Sequence, residues 1–357
     1  MTLRLPVLNQ TDWTRYRPGL ERVKDALRRL GEPHQALHIC LIGGTNGKGT
    51  VAWNLARNLG PDVGLFMSPH VWDIRERITK SGRFFDDHAW LEAYESAQNA
   101  GLRDEDLSYF EWLLVLALLM FRGAGLTRAV LEVGLGGRLD ATNALEPSLS
   151  CVTNVGLDHQ AQLGHTIRAI ALEKIEIMRP NHPFFCPGTL LQDPVIKERI
   201  QRVGPETIAF DCSTTKAENN REIVAHILEK LRHPLSHWSL PPGRRQLIHW
   251  NGPVWLDGGH NPMAWLDLAH WFKEQTEPVH LVLALSGSRR SDEVLSILQP
   301  LAASTSVLDA DYDQRVPLSA WPAHVRPVRI DELAHGPRPL LVTGSLKALG
   351  CIPLPVP

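Results

Sequence analysis

Four side chains and one loop in this chain have the types and surroundings that chemistry needs. They are Lys48, Glu132, His159 and Lys174, with the run Leu41-Ile42-Gly43-Gly44-Thr45-Asn46-Gly47-Lys48-Gly49-Thr50. The run sits between an apolar strand pattern, His38–Ile42, and a helix pattern with Val51, Leu55 and Leu59 on one face. Such a loop offers successive backbone N–H groups to phosphate oxygens, its glycines allow close approach, and the helix N-terminus adds a favourable dipole. Gly44 through Thr50 are therefore candidate nucleotide-binding residues, with Lys48 reaching the β- and γ-phosphates. The spacing departs from the ordinary phosphate loop, because Gly49 stands where Ser or Thr usually follows the lysine. A glycine-rich turn without a ligand is the alternative, and the strand before and helix after speak against it.

Glu132 closes a second strand pattern, Arg128–Val133, which runs into Gly134-Leu135-Gly136-Gly137. A carboxylate at a strand end beside a phosphate loop is a natural ligand for a hard cation such as Mg²⁺. Capping a helix or pairing with Arg138 are the other uses open to it. A third strand pattern, Leu149–Val155, delivers Asp158 and His159 just past its end. His159 also reads as an ordinary hydrogen-bonded loop histidine. Thr166–Met178 has a helical pattern in which Thr166 suits the N-cap and Ile167, Ile170, Ala171, Lys174 and Ile177 share a stripe. Lys174 is the oddity on that stripe; a lysine whose stem packs while its ammonium reaches water would also produce it.

Strands alternating with helices imply a mostly parallel sheet covered on both faces. In such sheets ligands gather outside the carboxyl ends of the strands, where these segments converge. His233–Gly243 carries Pro234, Pro241, Pro242 and Gly243 and reads as a boundary. We place one domain over residues 1–238 and a smaller α/β domain over 239–357, with strands at Pro253–Leu256, Val279–Leu285 and Pro339–Thr343.

At 357 residues the chain has room for two cores. A formal charge of −2 gives no electrostatic reason for nucleic acid or an anionic membrane as partner. Cys40, Cys151, Cys186, Cys212 and Cys351 are scattered, without any paired spacing, and read as reduced thiols of a cytoplasmic protein. No signal-peptide pattern is evident. Trp112–Phe121 is apolar but too short to span a bilayer, and reads as a buried helix.

The variant loop Gly44-Thr45-Asn46-Gly47-Lys48-Gly49-Thr50 resembles that of the Mur ligase superfamily, and most of all the folylpolyglutamate synthase and dihydrofolate synthase family. Further segments match in the same order. They are Ser68-Pro69-His70 with Glu76-Arg77-Ile78, Ser108-Tyr109-Phe110-Glu111, Leu131 through Asn143, Thr153 through His159, and Glu173-Lys174. Pro242-Gly243-Arg244, Asp257-Gly258-Gly259-His260-Asn261-Pro262 and Thr343-Gly344-Ser345-Leu346 follow, so the likeness runs from about Gly19 to the last strand pattern.

The resemblance implies a P-loop, doubly wound, mostly parallel domain followed by a smaller Rossmann-like α/β domain. It implies an ATP-dependent ligase that activates a carboxylate as an acyl phosphate and joins it to an amine. The expected substrates are a pterin- or folate-like acid and L-glutamate, with ATP and Mg²⁺, in a cytoplasmic monomer that binds neither nucleic acid nor membrane. By resemblance Ser68 and Glu132 hold one Mg²⁺ and His159 the other. Lys174 aligns with the lysine that CO₂ carbamylates in this superfamily, converting a cation into an anion able to bridge to metal. Asp257, His260 and Asn261 match the segment that closes over the nucleotide, and Arg244 is expected to meet phosphate, a surface salt bridge being its alternative.

The chain departs from the family in places. Ile175-Glu176 stands where Ala-Gly is usual, and Gly259 replaces alanine. Arg75 replaces asparagine, and Ser286-Gly287-Ser288-Arg289-Arg290 replaces a Lys-Asp-rich loop. These changes, with the shortened chain, keep open a ligase for another acid and amino acid. A nucleotide-binding module without turnover is a further alternative, against which Lys48, Glu132, His159 and Lys174 argue.

Overall fold

The computed structural model describes residues 5–8, 17–211, 216–274, 277, 279–287 and 289–353. Cys212 and Ser288 lie outside the described residues. The chain forms two compact units, Met1–Ser68 with Arg75–Ser239, and Pro69–Ile74 with Leu240–Pro357. A single boundary after residue 238 is too simple a division. The chain passes between the units at Ser68/Pro69, Ile74/Arg75 and Ser239/Leu240. A six-residue excursion carries no periodicity by which a sequence could announce it.

The first unit starts with α1 (Glu21–Arg29), β1 (His38–Gly43), α2 (Lys48–Leu59), β2 (Gly64–Phe66), β3 (Ile78–Lys80) and β4 (Arg83–Phe84). It continues with α3 (Asp87–Asn99), α4 (Tyr109–Gly123), β5 (Arg128–Glu132), β6 (Leu149–Val152), α5 (Gln160–Leu163) and α6 (Ile167–Ile175). Then come β7 (Pro183–Pro187), α7 (Pro194–Val203), β8 (Glu206–Phe210) and α8 (Lys216–Lys230). The sheet order is β4-β3-β2-β5-β1-β6-β7-β8, parallel except at the β3 and β4 edge. A strand covered on both faces needs apolar residues at successive positions. β1 is accordingly buried at every position after His38.

On one face α2 and α8 bury Val51, Leu55 and Leu59 against Ile223, Val224 and Ile227. The helix α4 is apolar all round and buried from Glu111 to Phe121. A capping box starts it: Glu111 N–H donates to the Ser108 hydroxyl and Ser108 N–H donates to the Glu111 carboxylate. No helix among the described residues is long and apolar enough to cross a membrane.

The second unit holds β9 (Gln246–His249), β10 (Pro253–Asp257), α9 (Pro262–Lys273), β11 (Val279–Leu283) and α10 (Ser291–Leu298). After these come β12 (Ala302–Asp309), β13 (Arg326–Arg329), α11 (Ile330–Leu333), β14 (Leu340–Thr343) and α12 (Leu346–Leu349). Its sheet order is β13-β12-β11-β14-β10-β9, parallel except for β9. One core packs Trp265, Leu268, Leu281 and Val294; the other packs Val254, Val342 and Leu346 together with Val71 from the excursion. Trp72 also joins this unit, its indole donating to the Ile352 carbonyl at 3.0 Å.

Candidate active site

The phosphate loop is built by β1, which ends at Gly43, and by α2, which starts at Lys48 rather than at Val51. Gly44 has φ +137° and lies so close to Thr153 that a Cβ there would sit 2.0 Å from the hydroxyl oxygen. Gly47 has φ +83°, and its missing Cβ would meet the Asn220 carboxamide at 2.3 Å. Neither position admits another residue without rearrangement.

The segment after β6 rivets this loop in place. Thr45 N–H donates to the Asn154 carbonyl and Asn46 N–H to Asn154 Oδ1, both at 2.9 Å. The Thr153 hydroxyl and Asn154 Nδ2 donate to the Asn46 carbonyl at 2.6 and 3.0 Å. The Thr45 hydroxyl accepts from Gly156 N–H at 2.9 Å. The amides of Thr45 and Asn46 are therefore committed to protein, contrary to a phosphate role for the whole loop. The amides from Gly47 to Thr50 lie at the opening turn of α2, the part of a helix whose N–H groups have no acceptor within the helix itself. Lys48 Nζ, expected at phosphate, donates to the Thr45 carbonyl at 3.2 Å.

Glu132 ends β5, buried, with Oε2 accepting from Ser68 N–H at 3.0 Å. A Cβ on Gly49 would lie 3.3 Å from that same oxygen. This contact explains the departure at Gly49: the helix's first turn rests against the carboxylate, and a side chain would fill the space. Arg77 is also buried, its guanidinium 5.6 Å from the centre of the Tyr109 ring. Burial holds its pKa below the usual arginine value, against the opposing pull of Tyr109, Glu132 and Glu76. Arg138 forks onto Glu173 at 2.8 and 3.0 Å.

Lys174 is buried, and its Nζ donates to the Gly44 carbonyl at 2.9 Å. Burial, followed by the charge of Lys48, lowers its pKa to about 7. The helix α6 carrying it is capped by Thr166 as expected, Ala169 N–H donating to the hydroxyl at 3.1 Å. The apolar stripe differs from its reading, because Ile167 is exposed and α6 ends at Ile175. Glu176 occupies the C-cap and is gripped by Arg199 through two 2.6 Å bonds, so the departure from the family there anchors α6 to α7. Asp140 is buried beside α6, accepting from Leu135 N–H at 2.8 Å and from the Thr142 amide and hydroxyl. Desolvation raises its pKa above the usual carboxylate value.

His159 takes a left-handed conformation, φ 49°, ahead of α5, and its side chain is 45% exposed. Its Nε2 stands 3.9 Å from Asp158 Oδ1. Among the described residues no three His, Cys, Asp or Glu side chains gather into a metal cage. Glu132 fits Mg²⁺ in another way. Mg²⁺ commonly keeps waters and phosphate oxygens and takes only one or two protein groups. A buried carboxylate facing the first turn of a phosphate-loop helix supplies such a group.

In the second unit, the candidates follow the carboxyl end of β10. Asp257 accepts from Arg245 N–H at 3.0 Å and from Gly259 N–H at 2.8 Å. Asn261 caps α9, its Oδ1 accepting from Ala264 N–H at 3.0 Å. These two side chains shape the loop itself. His260 Nδ1 lies 3.0 Å from the Gly258 carbonyl, which can only accept, so the neutral ring is protonated at Nδ1. Arg244 Nη1 donates to the Gly243 carbonyl at 3.3 Å. Arg289 bridges the His260 and Ser286 carbonyls from the altered loop.

No protein-family model matches the chain. It is 31% identical over 350 residues to a probable bifunctional folylpolyglutamate synthase/dihydropteroate synthase of Haloferax volcanii, covering 83% of this chain and 41% of that protein. It is 30% identical over 317 residues to the dihydrofolate synthase/folylpolyglutamate synthase of Bacillus subtilis, covering 72% of this chain and 73% of the relative. The chain belongs to the folylpolyglutamate synthase/dihydrofolate synthase family. It spans less than half of the Haloferax relative's length. Its fold matches the crystal structure of the Yersinia pestis bifunctional family member complexed with AMPPNP and Mn, with TM-score 0.82 and 23% identity over 98% of both chains.

Sequence reasoning gave no work to the side chains of Thr153, Asn154, Asp140 or Asn220. The first three lie inside family segments, and a polar pair directly after a buried strand is the signal that could have found Thr153 and Asn154. Asn220 sits mid-pattern on α8, where nothing local marks it.

Proposed function

We propose that this chain is an ATP-dependent ligase that joins the carboxylate of a pterin- or folate-like acid to L-glutamate, with Mg²⁺. The observation that carries this reading is Lys174, a buried amine with a pKa of about 7 set against the phosphate loop at the Gly44 carbonyl. A lysine must be neutral to take up CO₂, and this environment supplies neutral amine at physiological pH. A nucleotide-binding module without turnover has no use for such a group.

The uphill step is making a carboxylate electrophilic. Transfer of the γ-phosphoryl group to the acid gives an acyl phosphate; the amine then attacks its carbonyl carbon, and phosphate leaves as the amide forms. In this reading the amides from Gly47 to Thr50 bind and orient the phosphates, and Lys48 leaves the Thr45 carbonyl to neutralise γ-phosphoryl charge. Ser68, Glu132 and His159 would hold Mg²⁺, with carbamylated Lys174 as a further anionic ligand. Bound Mg²⁺ neutralises phosphate charge and aligns the in-line transfer. Asp257 and Asn261 act by shaping the loop that presents His260, while Arg244 meets phosphate. We extend the reading to a cytoplasmic monomer without nucleic-acid or membrane partners, which the near-zero net charge and the unpaired cysteine spacing support.

The test is ADP release across a matrix of candidate acids and amino acids, with the amide product identified by mass. Dihydropteroate or a reduced folate with L-glutamate should give the fastest release. Lys174→Ala should abolish it, and CO₂ removal should slow the parent reversibly. Turnover that is indifferent to both acid and amino acid would overturn the reading.

A further inference from the structure

The helix that follows the phosphate loop carries two buried asparagines that the mechanism does not use. Asn54 and Asn58 lie four residues apart on α2, on one face. Asparagine is a poor interior helix residue because its amide competes for backbone groups. Here both amides are spent on the chain that leaves the first unit. Asn54 Oδ1 accepts from Ser239 N–H at 2.9 Å, and its Nδ2 donates to the Ser239 carbonyl at 2.8 Å. Asn58 treats His237 the same way, Oδ1 accepting from its N–H and Nδ2 donating to its carbonyl, both at 2.9 Å. Asn58 Oδ1 also accepts from Ser236 N–H at 2.8 Å. The remaining amide hydrogens return to the Thr50 and Asn54 carbonyls of α2 at 2.9 and 2.7 Å. Trp53 adds a bond from its indole to the Ser239 hydroxyl at 2.9 Å.

The pattern imitates a neighbouring β-strand. Each asparagine pairs with both backbone groups of one residue, and the residues so paired alternate along the segment, as in a ladder. Ser239 is the last residue of the first unit and Leu240 the first of the second stretch. Only Leu240, Pro241, Pro242 and Gly243 separate the mooring from Arg244. The same helix begins at Lys48, roughly 9 Å and 15 Å along its axis from the two asparagines.

We propose that Asn54 and Asn58 are positioning residues that moor the connection between the units to the phosphate-loop helix, so that nucleotide binding at the first turn of α2 is felt by the chain leading to Arg244. The inference rests on the nucleotide-binding part of the proposed function. Buried carboxamides with this many bonds hold their partners in one geometry, and removing one exposes several unpaired backbone groups at once.

Hydrogen exchange of residues 236–243, with and without AMPPNP and Mg²⁺, tests the mooring in the full chain. In the parent the analogue should slow exchange there at least fivefold. In Asn58→Leu and in the milder Asn54→Ala the slowing should fall below twofold, while the affinity for the analogue changes less than threefold. On the ligase reading, kcat for ADP release should drop about tenfold with KM for ATP within threefold. Equal slowing in parent and variants, no slowing in the parent, or an affinity loss that tracks the exchange loss would overturn the proposal. A parent that binds the analogue and shows the slowing, yet forms no amide with any acid, would overturn the ligase reading alone.

Discussion

Lys174 titrates at about 7 in the folded chain, against an ordinary lysine value of 10.5. Between those values the unfolded chain holds a proton at this site that the folded chain has released. Stability therefore rises with pH across that window, by at most about 1.4 kcal/mol per pH unit from this group. Below pH 7 both states are protonated and the full burial penalty stands. In CO₂-free buffer, urea midpoints of the parent should climb from pH 7 towards 10, and Lys174→Met should remove that slope. A variant that keeps the parent's slope would place the titration elsewhere. Glu132 invites a second test. Glu132→Gln keeps the shape and the acceptor for Ser68 N–H while removing the charge. The Mg²⁺ concentration for half-maximal ADP release should rise at least tenfold, and an unchanged Mg²⁺ dependence would make Glu132 structural.

At the scale of elements, the strands and α4 could be read because burial on both sides forces continuous apolar runs, as in β1 and in Trp112–Phe121. The strand ends were harder. β6 stops at Val152, yet Thr153 N–H still donates to the Gly43 carbonyl, and it is the side chains of Thr153 and Asn154 that hold the phosphate loop. Those partners lie more than a hundred residues from the loop, and sequence periodicity carries no such register. The same holds for Asn220, which α8 brings against Gly47. Gly47→Ala should suffer twice, from φ +83° and from the clash with the carboxamide. We expect a stability loss of about 1–3 kcal/mol, with nucleotide affinity falling at least tenfold. Adding Asn220→Ala should recover the part due to the clash and leave the part due to φ. Calorimetry with ADP titration separates the two, and a Gly47→Ala variant that binds ADP like the parent would remove the loop's conformation from the argument.

For the whole molecule, the notable feature is the excursion of Pro69–Ile74 into the second unit. Trp72 and Val71 belong to that unit's packing although they precede six of the first unit's eight described α-helices in sequence. Trp72→Ala removes a partly buried ring and its bond to the Ile352 carbonyl. The expected cost is about 2–3 kcal/mol, below that of a fully buried tryptophan. Hydrogen exchange should show the loss in β10 and β14 while β1 and β5 stay protected; the opposite pattern would move the excursion to the first unit. The excursion also sets an order of events during synthesis. Leu240 leaves the ribosome about 170 residues after Ile74, which at 5–20 residues per second is a delay of roughly 8–30 s. Through that interval Val71 and Trp72 are finished chain whose packing partners do not yet exist. The second unit thus starts folding onto an anchor that the already translated first unit holds out, and its birth depends on a piece made long before it.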